Sequence, residues 1–322
     1  MIHDYSEKIR YLAKNTKLSN AQIAKKLGCS KRTVRRHAGP YADRLREFFG
    51  ITVEQLKTEG AKILLFDIET SPMEAYIWQL KQQGWIAPAM LKKPWAILCW
   101  SAKWLFDDKV MHGIVTPAEA MHREDASIIN DLWALLDEAD IIIAHNGARF
   151  DVRRMNARFV LNGLNPPMPY RVIDTLRVTR SQFDLPSYKL DYVNMLFGLD
   201  TKKGNEEGMD MWKKCIGDFG VDAQPKALGD MSLYCDNDVR ILEELYVQIR
   251  AWIKGHPNMG LYVDTDGEKC GNCGSTDLDW RGKYYTPAGR FRAFRCQCGA
   301  VGRSRYSDLS KEEKVGICTH VV

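Results

Sequence analysis

Long apolar runs are absent from this 322-residue sequence: none approaches the ~20 residues that a membrane-spanning helix needs, so no membrane association is expected. The opening stretch, Met1-Ile2-His3-Asp4-Tyr5-Ser6-Glu7-Lys8, has no signal-peptide core. Internal repeats and low-complexity tracts are missing too, which excludes a repeat architecture. The nine cysteines are odd in number and follow no secretory signal. They argue against a disulfide framework and for a reducing, cytoplasmic setting.

What is present is a chain 45% hydrophobic, large enough to bury a full core and to hold more than one domain. The net charge of +5 is modest, but it is unevenly spread. Residues 1–60 carry 13 Lys and Arg against 6 Asp and Glu, residues 61–254 carry 23 against 27, and the remainder carries 10 against 8. An acidic middle between basic ends suits a site that repels a polyanion until cations load, with flanks that supply the counter-charge.

Three strings place acids and a tyrosine on predictable elements. Phe66-Asp67-Ile68-Glu69-Thr70 ends an apolar run from Ile63, short and β-prone enough for a buried strand. Residues two apart on a strand share a face, so Asp67 and Glu69 project together and repel unless a cation neutralises them. Clustered hard oxygen ligands suit Mg²⁺ or Mn²⁺ rather than zinc. His145-Asn146-Gly147-Ala148-Arg149-Phe150-Asp151 follows a second buried-strand signal, Ile141-Ile142-Ile143, and leads into a helical pattern to Val160, which puts Asp151 in a first turn. Tyr234-Cys235-Asp236-Asn237-Asp238 lies in a stretch, 230–252, with apolar residues at helical spacing, so Tyr234 and Asp238 share one side of a helix.

On these strings the chain, from about Lys62 to Ile253, resembles the DEDD 3′→5′ exonucleases of the ribonuclease H-like superfamily, in the subgroup with tyrosine in the third motif. Its nearest flavour resembles polymerase proofreading domains and their free-standing phage relatives. The resemblance implies an α/β fold with a mixed sheet flanked by helices, and a two-metal phosphodiesterase with Asp67, Glu69, Asp151, Tyr234 and Asp238 as catalytic residues. By the same resemblance Asp67 would bridge two Mg²⁺ or Mn²⁺ ions, Glu69 and Asp238 would complete the nucleophile-side ion, and Asp151 would serve the leaving-group ion. Two cations about 3.5 to 4 Å apart can activate a water and stabilise the departing oxygen. A phenol with an ordinary pKa near 10 is a poor base at neutral pH, so Tyr234 is expected to orient the attacking water, and the reaction to favour alkaline pH.

Neighbouring residues carry two readings each. Asn146 hydrogen-bonds the substrate or braces the site, and His145 is a packed strand-end residue rather than a base. Asp174 looks like a helix cap and is a decoy for a fifth ligand. Lys189, in Leu185-Pro186-Ser187-Tyr188-Lys189-Leu190, is a phosphate contact or a solvated lysine at a helix start. The expected remaining elements are strands at 74–80, 95–106 and 110–115, helices at 121–138 and 190–197, and a loop at 201–208.

The basic N-terminus, residues 1–40, reads as helix, glycine turn, helix. Ser19 and Ser30 are N-cap candidates, Ile23, Ala24, Leu27 and Val34 form the apolar face, and Gly28 permits the turn. It resembles the helix-turn-helix of DNA-binding proteins, which implies that Lys31, Arg32, Thr33, Arg35 and Arg36 face a major groove. The alternatives are a solvated charged face or a protein-docking module. Residues 41–60 read as a helical linker with Leu45, Phe48 and Phe49 as a small apolar stripe.

At the other end, Cys270-x-x-Cys273 and Cys296-x-Cys298 enclose a strand-prone, basic stretch. Paired soft thiolates suit one structural tetrahedral Zn²⁺, with a disulfide as the alternative. The second gap is one residue shorter than the common form and leaves less backbone for Gly299 to wrap the metal, and Cys318 and His320 are substitute ligands. A β zinc ribbon over 256–308 and a disordered tail over 309–322 are expected. Arg281, Lys283, Arg290, Arg292, Arg295, Arg303 and Arg305, interleaved with aromatics, suit contact with single strands.

The expected whole is a DNA 3′→5′ exonuclease spanning 61–255 with two flanking modules, with nucleic acid as its partner and a replication polymerase alongside. An RNA 3′ exonuclease or structure-selective nuclease, and a DNA-binding regulator or polymerase accessory subunit, remain open.

Overall fold

The computed structural model describes residues 8–9, 11–13, 16, 18, 20–31, 33–34, 60–81, 84–199 and 208–320. Ser19, Arg32, Arg35, Arg36, the linker residues 41–59 and the loop at 201–207 lie outside the described residues. The chain divides into two compact units, one of residues Lys62–Tyr246 and one that combines Met1–Ala61 with Val247–Val322.

The first unit is built on a five-stranded sheet. In chain order its strands are β1 (Ile63–Thr70), β4 (Ile97–Trp104), β5 (Met111–Ile114), β6 (Ile141–Ala144) and β7 (Arg171–Asp174), while β2 (Glu74–Ala75) and β3 (Leu91–Lys93) form a separate pair. The spatial order β5-β4-β1-β6-β7 puts β1 in the centre. It pairs antiparallel with β4, Asp67 opposite Ser101, and parallel with β6, Ile63 opposite Ile141, so the sheet is mixed. Ile141, Ile142, Ile143 and Ala144 are all buried, which is why β6 shows no alternation in sequence: both faces are covered.

Helices α2 (Pro117–His122), α3 (Ala126–Glu138), α4 (Asp151–Leu161), α5 (Thr175–Gln182), α6 (Leu190–Leu196), α7 (Met209–Cys215) and α8 (Gln224–Ile249) follow, after α1 (Asn20–Leu27) in the other unit. Ile129, Leu132 and Leu136 of α3, Met155 and Phe159 of α4, and Leu228, Met231 and Cys235 of α8 pack with Leu64, Phe66 and Ile68 of β1 in one core.

Two expected elements differ. The strand anticipated at 74–80 stops at Ala75, where pairing with Leu91 ends, and Trp78 and Leu80 point into solvent. The helix anticipated at 121–138 is two helices. Arg123 adopts a left-handed conformation, φ 63°, and its guanidinium closes the end of α2 by donating to the Ala120 carbonyl at 2.7 Å.

In the second unit, helical residues at 8–9 and 11–13, α1, and helical residues at 31, 33 and 34 bury Ile9, Ala13, Ile23, Ala24 and Val34 together. Gly28, at φ +66°, closes α1 while Cys29 N–H reaches back to the Ala24 carbonyl at 3.0 Å. Ser30 Oγ accepts from Thr33 N–H at 3.0 Å, an N-cap geometry.

The C-terminal part holds a three-stranded sheet, β8 (Leu278–Thr286), β9 (Gly289–Cys296) and β10 (Val301–Arg303), in the order β10-β9-β8. The stretch expected to be a disordered tail contains a short helix, α9 (Lys311–Val315). Ser310 and Glu313 cap it reciprocally, and Arg290 of β9 pairs with Glu313, which gives a polar sequence enough local bonding to order.

Candidate metal centres

Asp67 and Glu69 leave β1 on one face, and a bulge between Glu69 and Thr70 ends regular pairing with β4 there. Asp151 opens α4 and is buried at 2% exposure, and Asp238 on α8 is buried at 7%. Asp67 retains some open residue surface, yet its carboxyl is held well above the usual carboxylate range by desolvation and by the nearby charges of Asp151, Glu69 and Asp238. Three elements distant in sequence therefore bring all four acids into one electrostatic cluster. Asp151 is itself pushed up to about 7 by burial, against the hydrogen bonds of its own backbone N–H and that of Ile68. Tyr234 is half-buried against the core, one helical turn before Asp238.

Local structure explains how these groups are held. Gly147 lets the loop between β6 and α4 pass close to the sheet: a Cβ there would lie 2.4 Å from the Ala144 Cβ. Asn146 takes φ 73°, a conformation asparagine tolerates, and its carbonyl accepts from Phe150 N–H at 3.0 Å. Asp174 caps α5 through Leu176 and Arg177 N–H and also accepts from Asn146 N–H at 3.0 Å and Ala148 N–H at 3.2 Å. Its carboxylate is thereby committed to backbone donors.

His145 Nε2 lies 2.9 Å from the Tyr188 carbonyl and so donates to it, while Nδ1 lies 2.9 Å from the Thr175 hydroxyl, itself 3.3 Å from the Ala144 carbonyl. It ties the loop to the segment that ends at Lys189. Lys189 is exposed and occupies the N-cap of α6.

Two residues beside the acids escaped the sequence reading. Arg154, one turn after Asp151, donates to Thr70 Oγ1, stacks over Phe150 at 4.1 Å and Trp95 at 4.8 Å, and places a cation against Asp151. Its position three residues after a first-turn acid was the available signal. Cys235 is fully buried and its thiol donates toward the Asp67 carboxylate at 3.5 Å. It lies inside the third string itself.

In the other unit, Cys270, Cys273, Cys296 and Cys298 are buried and their sulfurs all lie within 4.8 Å of one another. Separations of 3.7 Å for Cys270–Cys298 and 3.6 Å for Cys273–Cys296 exclude a bonded pair and match a set converging on one point. Asn272 N–H points to Cys270 Sγ at 3.4 Å, as in a thiolate knuckle. The short second gap is accommodated because Gly299 turns at φ +83° and its N–H returns to the Cys296 carbonyl at 3.0 Å. Cys318 and His320 are exposed and stand outside the set.

The basic stretch around these thiols is already engaged. Arg281 pairs with Asp279, Lys283 and Arg290 with Asp308, and Arg292 with Glu268, while Arg303 stacks 3.9 Å over Phe291. In the N-terminal part, Lys31 is exposed and Thr33 half-buried.

Residues 102–250 match the RNase_H_2 family, of the RNase_H superfamily. The sheet unit thus has a ribonuclease H-like fold, which supports a nuclease; nucleases of this kind use divalent metals. The matched range contains Asp151, Tyr234 and Asp238, and begins after Asp67 and Glu69. Among solved structures the chain is similar to the family B DNA polymerase from the hyperthermophilic archaeon Pyrobaculum calidifontis, at 18% identity and a TM-score of 0.43, over 59% of this chain and 25% of the polymerase. The chain thus spans a quarter of that polymerase's length. No curated protein matches. No helix among the described residues is long and apolar enough to cross a membrane.

Proposed function

We propose that this chain is a metal-dependent 3′→5′ exonuclease that releases nucleoside 5′-monophosphates from single-stranded 3′ ends, of DNA rather than RNA. The observation that carries this reading is the meeting of Asp67, Glu69, Asp151 and Asp238, with Asp67 held protonated beyond its usual range by burial and by the other three. Desolvated carboxylates crowded together fit a site for two hard cations, Mg²⁺ or Mn²⁺. Bound there, such ions supply charge neutralisation and activation of a water for in-line attack on a phosphodiester.

The chain's own groups do the positioning. Tyr234, a turn before Asp238, orients the attacking water through its phenol. Arg154 holds Thr70 and steadies the first turn of α4 and the bulged end of β1 relative to each other. Lys189, fixed near the loop by the His145–Tyr188 bond, is a phosphate contact. Asn146 braces the loop through its backbone N–H on Asp174.

The N-terminal helices are proposed as a helix-turn-helix that holds duplex DNA through Lys31, Thr33 and their basic neighbours, and the four thiols as ligands of one structural Zn²⁺. The proposed setting is phage DNA replication, repair or degradation, with a replication polymerase as partner. The test is digestion of matched 5′-labelled DNA and RNA oligonucleotides with Mg²⁺ or Mn²⁺. A ladder that shortens from the 3′ end of DNA and is abolished by Asp67→Ala is expected; intact strands with both metals would sink the reading.

A further inference from the structure

The segment between β1 and β4 exposes apolar surface that none of the described residues covers. It leaves the sheet at Thr70, one residue past Glu69, and is closed at its base by Ser71 N–H donating to the Ala96 carbonyl at 2.9 Å. Both its ends are thus anchored where β1 delivers its carboxylates. Between them Trp78 is 95%, Leu80 95% and Trp85 100% exposed, and Tyr76 is 66% exposed. Tryptophan left in water at this level marks a binding surface.

The chemistry of the segment narrows its occupant. Aromatic rings alternate with a cation, Lys81, which lies between Trp78 and Trp85 in sequence and is exposed. Glu74 is the segment's one carboxylate, and it is engaged by Lys92, Lys93 and Arg123. Rings beside positive charge, with no uncommitted negative charge, suit unpaired bases on a phosphate backbone: every base offers a π-face to stack, and the lysine attracts the phosphate.

We infer that Trp78 and Trp85 are stacking platforms for the unpaired bases of a nucleic-acid strand whose 3′ end enters the carboxylate site, an inference that rests on the nuclease reading above. Such platforms select single strands over duplexes, because stacked and paired bases present no free face. They also bind without regard to sequence.

Binding is measured by anisotropy in an Asp67→Ala background with Mg²⁺, so that strands stay uncut. Trp78→Ala/Trp85→Ala is expected to weaken binding of a labelled oligo-dT by about tenfold or more. The same pair of changes is expected to make no difference on an abasic strand of equal length, which keeps the phosphates and lacks the rings. Equal affinity for oligo-dT would overturn the inference and leave the segment to a protein partner. An equal loss on both strands would overturn it as well, since that marks charge or structure rather than stacking. A separate measurement isolates the underlying reading: the unsubstituted chain with Mn²⁺ is given thymidine 5′-p-nitrophenyl phosphate, which offers no neighbouring base. Hydrolysis there, with oligo-dT binding insensitive to the tryptophans, sinks only the platforms. No hydrolysis there or on any oligonucleotide sinks the nuclease.

Discussion

Asp151 makes the metal-free fold pay for its site, and replacing it by asparagine measures the cost. Its carboxyl titrates at about 7 in the fold against an ordinary 3.8, chiefly because burial penalises the charge. The raised value means that the fold prefers the protonated acid, so its contribution is full below pH ~4 and is lost progressively as pH rises toward 7. At about 1.36 kcal/mol per unit, ionising it costs roughly 4 kcal/mol at pH 8 and under 2 kcal/mol at pH 5. An asparagine in its place carries no charge and keeps an acceptor for Ile68 N–H. In EDTA, Asp151→Asn is therefore expected to be more stable than the parent by up to about 4 kcal/mol at pH 8, a rise on the order of 10 °C in melting temperature for a unit of this size. The gain shrinks by more than half at pH 5. Scanning calorimetry at the two pH values is the assay, followed by the same scans with Mn²⁺, where the parent should recover most of the difference. A variant equally shifted at both pH values, or less stable at pH 8, would refute the electrostatic account.

Lys103 and Glu243 form a buried ion pair at 2.6 Å, 4% and 0% exposed, with Glu243 also accepting from Phe106 N–H. Lys103→Met leaves that carboxylate uncompensated and should cost about 3–5 kcal/mol in urea denaturation, most of it regained by adding Glu243→Gln. Gly147→Ala drives a methyl to 2.4 Å from the Ala144 Cβ. Nuclease activity should fall by about 100-fold as the Asp151 helix shifts, and Ala144→Gly in the same chain should restore it, which a simple folding defect would not allow. Cys298→Ser should lower zinc from about one per chain to near none, read by atomic absorption after dialysis. Because Asp151, which titrates at about 7, must ionise to hold a cation, the Mg²⁺ concentration for half-maximal rate should rise about fivefold when pH is lowered from 7 to 6.

The parts legible in the sequence are those set by local pattern. Ile63 to Phe66 and Ile141 to Ile143 announce buried strands because fully covered strands are continuously apolar, and the four-residue step from Tyr234 to Asp238 needs only a helix. Gly28 marks its turn by itself. What stayed hidden depends on partners far along the chain. Asp125, inside the helix expected at 121–138, is fully buried, holding Ile97 N–H at 3.0 Å and Arg158 at 2.6 Å. No spacing rule links 97, 125 and 158. Glu74 is on a strand, as its neighbours suggest, but nothing local shows that its carboxylate pairs with Arg123 at 2.7 Å, and Arg123 in turn splits what periodicity makes a single helix. Most basic residues around the four cysteines look free in the sequence because their acids, Glu268, Asp308 and Glu313, are adjacent to them only in three dimensions.

The position of Asp67 shows why such a costly cluster can exist. A buried acid facing three others is unfavourable in any fold, and a peripheral strand would relieve it by fraying. β1 is instead the central strand, hydrogen-bonded on both edges by β4 and β6, with Leu64, Leu65 and Phe66 fully buried just before the acid. Moving Asp67 outward would break its pairing with Ser101 of β4 and pull on the buried side chains before it, each worth roughly 1.5–3 kcal/mol of burial, which opposes relief of the repulsion. Asp238 is similarly constrained by a helix whose core residues Met231 and Cys235 lie on the same packed face as the sheet. The strain therefore resides in protonation rather than in displacement: Asp67 and Asp151 hold their places and favour their protonated forms. A site preorganised in this way would bind the proposed cations without rearranging backbone, and its affinity for them should track the ionisation of Asp67 and Asp151 rather than any opening of the fold.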